Sequence, residues 1–340
     1  MLSASLVDYV MPTAVEIPDI EVVHIESESA VAGGFRGMGE GGTIGAPAAI
    51  ANAISDALSA LDIDVSILPM TPERLFRLLE QARMKTKGSP EMNDLAGRVA
   101  LVTGGGRDVG AAISHALAAA GAAIAVNYHS SRNEADAVVA QIQKAGGKAK
   151  AYQADIANYE AVKGMVASVK ADFGGLDILV NNAGLVLRKR FNETTPEDWH
   201  RQIDICLYGA IHCCHAAASL LEASGRGRII SIMGDSSRIG ESGLAIGAAA
   251  RAGTIALMKS LAREMGRTGT TANSIALGLI ESSHDKSWVD ANRDKLVKAY
   301  PIRRLGLPSD VAPMVALLAS DAGSWITGQV MSISGGFSMV

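Results

Sequence analysis

Residues 98–121, RVALVTGGGRDVGAAISHALAAAG, constrain the fold of this chain more than any other stretch. Val99, Ala100, Leu101 and Val102 form a continuous apolar run, the pattern of a parallel strand buried on both faces. Residues 103–110 are then glycine-rich, and from Val109 onward Ile113, Leu117 and interleaved alanines keep helical spacing until Gly121. A strand, a glycine turn and a helix open a dinucleotide-binding unit, because free N–H groups at a helix N-terminus point at a phosphate. Asp108 is the discordant residue, a carboxylate inside the turn. A like-charge pair at about 4 Å costs roughly 4 kcal/mol at an effective dielectric of 20, less if Arg107 or Arg251 neutralises it.

The same alternation continues to the C-terminus. Strands are expected at 123–127, 149–152, 176–180, 228–232, 271–275 and 330–333. Helices are expected at 133–145, 159–173, 196–221, 244–265 and 310–318. Strands separated by helices make a Rossmann-like, doubly wound parallel sheet of the α/β class. Ahead of this domain (97–340), residues 1–87 form a small α+β appendage, and the polar stretch 88–96 reads as a linker. Within the appendage, 21–26 is a strand candidate, 33–45 a glycine loop and 46–61 a helix with Pro47 near its start. Residues 62–68 read as a short strand, and Thr71 followed by Pro72 caps a last helix to about residue 83.

Net charge is −4, which gives no electrostatic case for nucleic acid. No apolar run reaches the roughly 18 residues of a membrane span, and the N-terminus lacks the basic and apolar regions of a signal peptide. Cys206, Cys213 and Cys214 cluster in one segment, which suits buried small hydrophobes better than a disulfide framework or a zinc site. No metal site is expected, and a reducing cytoplasm fits this usage.

Two resemblances follow from longer blocks. Residues 97–340 resemble the short-chain dehydrogenase/reductase family through GRVALVTGGG, LDILVNNAG, GRIISI, AGTIALMKSLARE, TANSIALG and WITGQVMSISGGF. That resemblance implies nicotinamide-dependent hydride transfer and a homodimer or homotetramer. It also implies a dinucleotide site of Gly104, Arg107, Val109, Gly110, Asp155, Asn182, Ala183 and Gly184. The second strand ends NYHSSR, with no acid for a ribose 2′-hydroxyl, so NADP(H) is the better fit. The family's asparagine, serine, tyrosine and lysine fall on Cys206, Gly234, Gly247 and Arg251. Glycine carries no titratable group, and arginine does not reproduce the compact ammonium of lysine. Tyr208 is the nearest tyrosine in sequence that could substitute. Leu277 stands where the family has a proline, and Asp235, Ser236, Ser237, Glu241, His284 and Asp285 lie on segments around its substrate site. Among these, Asp235 or His284 is the candidate base and Arg251 the candidate anion holder.

Residues 1–83 resemble the C-terminal end of the molybdopterin-binding large subunit of the xanthine dehydrogenase family, through DYVMPTA, GMGEGGTIGAPAAIANAISDAL and LPMTPERL. That resemblance places Glu40 in the role of general base beside molybdenum, with molybdopterin reached only through a partner subunit. The leading expectation is accordingly an accessory component of a molybdenum hydroxylase. The alternatives are a cofactor-independent lyase, hydratase or dehalogenase, an NADP(H) reductase using displaced residues, and a silent scaffold.

Overall fold

The computed structural model describes residues 41–59, 63, 65, 71–86, 94–282 and 286–340. The chain divides into two compact units, the first up to Pro90 and the second from Glu91.

In the first unit, α1 spans Gly41–Ala57 and α2 spans Pro72–Thr86. The first helix starts ahead of the expected residue 46, so residues 41–45 are helical and not loop, and it stops short of residue 61. The alanine-rich run behind those glycines has the helix propensity to carry the turn backward. Thr71 caps α2 as expected, its Oγ1 accepting a hydrogen bond from the Arg74 N–H at 3.3 Å. Ile63 and Val65, expected in a short strand, are buried but not in strand conformation, and Val65 N–H donates to Ser55 Oγ at 2.9 Å. The strand expected at 21–26, the loop at 33–40 and Glu40 lie outside the described residues.

The second unit is built on seven parallel strands. These are β1 (Val99–Val102), β2 (Ala123–Tyr128), β3 (Ala149–Gln153), β4 (Ile178–Asn181), β5 (Arg228–Gly234), β6 (Thr271–Leu277) and β7 (Val330–Ile333), in the order β3-β2-β1-β4-β5-β6-β7. The order reverses between β1 and β4, and an open α/β sheet holds its ligand in the crevice beyond the strand ends at such a point. Side chains alternate across β1. Ala100 and Val102 face α3 (Asp108–Ala119), α4 (Arg132–Lys144) and α11 (Pro308–Ala319). Val99 and Leu101 face α5 (Tyr159–Phe173), α7 (Gly209–Ala223) and α9 (Ala245–Met265). Helices therefore cover both faces, which is why the strands read as unbroken apolar runs.

The stretch 196–221, expected to carry one or two helices, is three pieces: α6 (Pro196–Ile203), a π-helical turn at Asp204–Tyr208, and α7. Thr195 and Asp198 form a capping box at its start. The whole stretch, 196–223, is long and apolar enough to cross a membrane, against expectation, yet its inner face of Cys213, Cys214, Ala217 and Leu221 packs on the sheet. Burial pushes the Cys214 thiol up to about 12 and raises Cys213 as well, and none of the three cysteines is in a disulfide. Two helices escaped the sequence pattern, α8 (Ser236–Ile239) and α10 (Lys286–Lys298). The second packs through Val289 on Tyr300 and Leu305, a small cluster separate from the two main layers.

At the N-terminal ends of the strands, two fully buried arginines close the sheet. Arg98 Nη1 donates to Ala319 O at 3.0 Å and Nη2 pairs with Asp321. Arg228 donates to Gly227 O, Gly269 O and Ser320 O at 2.9, 3.1 and 3.3 Å. Burial, reinforced by neighbouring Arg98, pulls the Arg228 guanidinium below its usual range. These bonds satisfy chain ends that would otherwise bury carbonyls without donors.

Leu101 is wholly buried between the helical layers. Leu101→Ala should destabilise the second unit by about 2–5 kcal/mol in urea unfolding, because the cavity it leaves is walled by rigid strands and cannot collapse.

Candidate active site

The turn after β1 is shaped by contacts that only bare backbone allows. Gly104 has φ +60, and a Cβ on Gly110 would lie 2.1 Å from Gly104 O. The first turn of α3 therefore rests directly on the loop that precedes it. Asn182 clamps that loop from β4, donating through Nδ2 to Thr103 O at 3.0 Å and Gly104 O at 3.2 Å. Thr103 Oγ1 accepts in return from Asn182 N–H and Ala183 N–H at 2.9 and 3.0 Å.

Asn127, at the end of β2, clamps it from the other side. Its Oδ1 accepts from Gly104 N–H at 3.3 Å, and its Nδ2 donates to Ala154 O at 3.1 Å. Asn127 was missed in the sequence, although a buried asparagine in an apolar strand is a signal that its amide has backbone to satisfy.

These clamps frame a cleft of about 420 Å³ at the switch point. All eight residues expected to hold a dinucleotide, Gly104, Arg107, Val109, Gly110, Asp155, Asn182, Ala183 and Gly184, line it. His129, Ser130 and Ser131 line it too and were not singled out. Asp155 accepts from Ala157 N–H at 3.0 Å, and its other oxygen lies 4.0 Å from His129 Nε2. The Gly104–Gly110 cradle fits the close approach of a pyrophosphate, since neither glycine carries a Cβ. Asp108 is the misfit. Among the described residues it is the one non-glycine with positive φ, at 49°, and it lines the same cleft. Asp is among the few residues that tolerate this backbone, which explains how it replaces glycine without breaking the turn.

Of the four positions expected to hold the catalytic groups, Cys206 and Arg251 both touch Leu185, and Gly247 lies beside Arg251. Cys206 sits in the π-helical turn. Its carbonyl accepts from Thr254 Oγ1 at 3.0 Å, and its thiol lies 3.5 Å from both Leu185 N and O. Gly234 ends β5, and Ser236 Oγ lies 3.3 Å from where its Cβ would be. Gly247 is in the first turn of α9, with Arg251 Nη1 and Gln202 Oε1 each 3.0 Å from its Cβ position. Arg251 is partly buried and donates through Nη2 to Leu185 O at 3.1 Å, with Nη1 3.5 Å from Gly247 O. The guanidinium thus fills the space into which a side chain at 247 would begin.

Asp235, expected as a base, is turned elsewhere. Its carboxylate is buried against β7, accepts from Ser332 Oγ at 2.7 Å and lines no part of the cleft. Arg238 Nη1 donates to the same Ser332 hydroxyl at 2.6 Å, linking the two charges. Ser237 donates to Gly234 O at 2.7 Å, and Glu241 pairs with Arg188 at 2.9 Å. Tyr208 is half exposed and stacks on His212 at a centroid distance of 6.0 Å, outside the cleft, so it does not replace a tyrosine at 247. His284 and Asp285 lie outside the described residues.

Comparison with known proteins places this geometry. The family model of enoyl-(acyl carrier protein) reductases matches residues 105–338. The chain is 38% identical over 249 residues to a 3-oxoacyl-[acyl-carrier-protein] reductase of a Synechocystis species, covering 73% of this chain and 100% of that protein. It is 37% identical over 240 residues to the 3-oxoacyl-[acyl-carrier-protein] reductase FabG of Staphylococcus aureus, covering 71% and 98%. Among solved structures, a blue fluorescent protein from a metagenomic library, in complex with NADPH, is similar with a TM-score of 0.69 and 36% identity, covering 72% of this chain and all of that one. These likenesses overturn the expectation of an accessory component for a molybdenum hydroxylase with Glu40 as its base. They are to reductases, the family match begins at residue 105, and none of them supports a molybdopterin-binding segment.

Asp108→Gly should tighten binding of a nicotinamide dinucleotide by about tenfold or more in calorimetric titration, because it removes a carboxylate from the turn. It should also raise the unfolding midpoint, since a left-handed backbone costs an L-residue roughly 1–2 kcal/mol.

Proposed function

Because this chain belongs to the short-chain dehydrogenase/reductase family, we propose that it is an NADP(H)-dependent oxidoreductase that interconverts a carbonyl and an alcohol. The observation that carries the reading is the cleft at the β1–β4 switch point, with its glycine cradle and its clamped Asn182–Gly184 segment. The reductases named above and the NADPH complex of a relative support it.

Gly104, Val109 and Gly110 would hold the pyrophosphate, with Asp155 at the adenine edge and Asn182, Ala183 and Gly184 at the ribose. Arg107, Ser130 and Ser131 line the same cleft and suit a 2′-phosphate, as cation and hydroxyl donors with no acid among them. When bound, NADPH supplies a hydride to the carbonyl carbon. Gly247 carries no proton to complete the alcohol, and Tyr208 is outside the cleft. Ser236 Oγ and Arg251 are the donors left where the family holds its substrate oxygen.

Without a tyrosine at 247, turnover should be slower by a factor of about 10²–10⁴ than in a chain that has one. Titration with NADPH and NADH should show binding with a preference for NADPH, and absence of heat with either at millimolar concentration would refute the reading. The triple substitution Gly234→Ser, Gly247→Tyr and Arg251→Lys should raise NADPH-dependent reduction of a 3-oxoacyl thioester by about 10² or more. Arg251 must change with Gly247, because its Nη1 stands 3.0 Å from the new Cβ.

A further inference from the structure

The two buried arginines, Arg98 and Arg228, share Asp321. Partly buried Arg251 has no such partner: among the described residues no carboxylate lies within 4.0 Å of it, and its neighbours are the carbonyls of Leu185 and Gly247. A partly desolvated guanidinium without a counter-charge is an unfavourable arrangement unless an anion completes it.

Three further observations make the spot fit for a ligand. The guanidinium is walled by bare backbone: a Cβ on Gly247 would lie 3.0 Å from Nη1 and one on Gly184 would lie 3.1 Å from Nη2. Any larger residue at either position would push the head group aside. The first turn of α9, where Gly247 lies, has no side-chain cap and no acidic residue, so its N–H groups add positive potential. Finally, Gly184, which touches Arg251 in this way, also lines the dinucleotide cleft, so the two sites adjoin.

We propose that Arg251, which lines a small cavity adjoining the cleft through Ile156, Ala183 and Ile205, is an anion site, and that the carbonyl compound taken there is an oxo acid whose carboxylate pairs with this guanidinium. The proposal rests on reading the cleft as that of a reductase. Nη1 and Nη2 each direct one N–H at a backbone carbonyl and keep one more. Two parallel N–H donors match the two oxygens of a carboxylate, which favours a planar carboxylate over a single-point anion. Glycine at 247 and 184 is then what lets the anion reach the arginine, and the substrate is selected by charge at the place where a tyrosine would otherwise stand.

The test is calorimetric titration of acetoacetate and of methyl acetoacetate, which differ in the carboxylate, into the full chain with and without saturating NADP⁺. Acetoacetate should bind about tenfold or more tightly than its ester. Arg251→Gln should remove that preference, and Arg251→Lys should restore part of it. Gly247→Ala keeps the arginine but displaces its head group, and should weaken the acid without affecting the ester. Equal binding of acid and ester, or an unchanged preference in Arg251→Gln, overturns the proposal, as does failure of the acid to bind either form. A chain that binds no NADP⁺ refutes the reductase reading, and the acid–ester contrast in the nucleotide-free protein still decides the anion site.

Discussion

Gly110 packs its bare α-carbon against the Gly104 carbonyl so closely that a methyl group there would lie 2.1 Å from the oxygen. The rest of the site depends on this contact. It sets where α3 begins, and so where the N–H groups of that helix point. Asn182 and Asn127 hold the loop from the strands on either side, at β4 and β2, across the place where the sheet order reverses. The same asparagines that look like ligand-binding residues are thus occupied with backbone, and the cleft is a by-product of how the turn is kept in place. This explains how the turn can accept an aspartate at 108: its shape is held by neighbours and not by the residue at its tip.

Much of the second unit was legible in the sequence because both faces of its sheet are buried. An apolar strand such as 99–102, buried throughout, leaves no ambiguity of type when a helix follows it. The bounds of α5 are marked by chemistry that sequence shows directly: Asn158 accepts from Ala161 N–H at its start, and Gly174 takes a left-handed φ of 86° at its end. What escaped was helix that owes little to periodicity. In α10 the polar run KSWVDANRDKLVK buries Val289 against a local cluster, which no stripe of apolar residues announces. At α1, glycines that read as loop are helical because the residues after them favour helix.

The site was legible in its positions but not in its directions. Counting from the strand and helix blocks gave Cys206, Gly234, Gly247 and Arg251 as one set of positions, and contacts through Leu185 and Gly247 link Cys206 with Arg251. Counting does not say which way a carboxylate turns. Asp235 goes to Ser332 and β7, one residue after Gly234 faces Ser236. Tyr208 stacks outward on His212 because the π-helical turn advances the chain by an extra residue before α7. Nor does sequence reveal that Arg251 folds back over Gly247, a contact that exists only because both residues share a face of α9.

Arg98 and Arg228 sit at the far end of the strands from all of this, stitched to the carbonyls of Ala319, Ser320 and Gly269. Their bonds gather the chain where it enters β1, leaves α11 and turns toward β6. The domain is in effect moored at one rim and open at the other. Substitutions at the open rim, even of a whole reactive set, leave the moorings untouched, so the scaffold tolerates a change of chemistry that a fold braced through its own active centre would not survive.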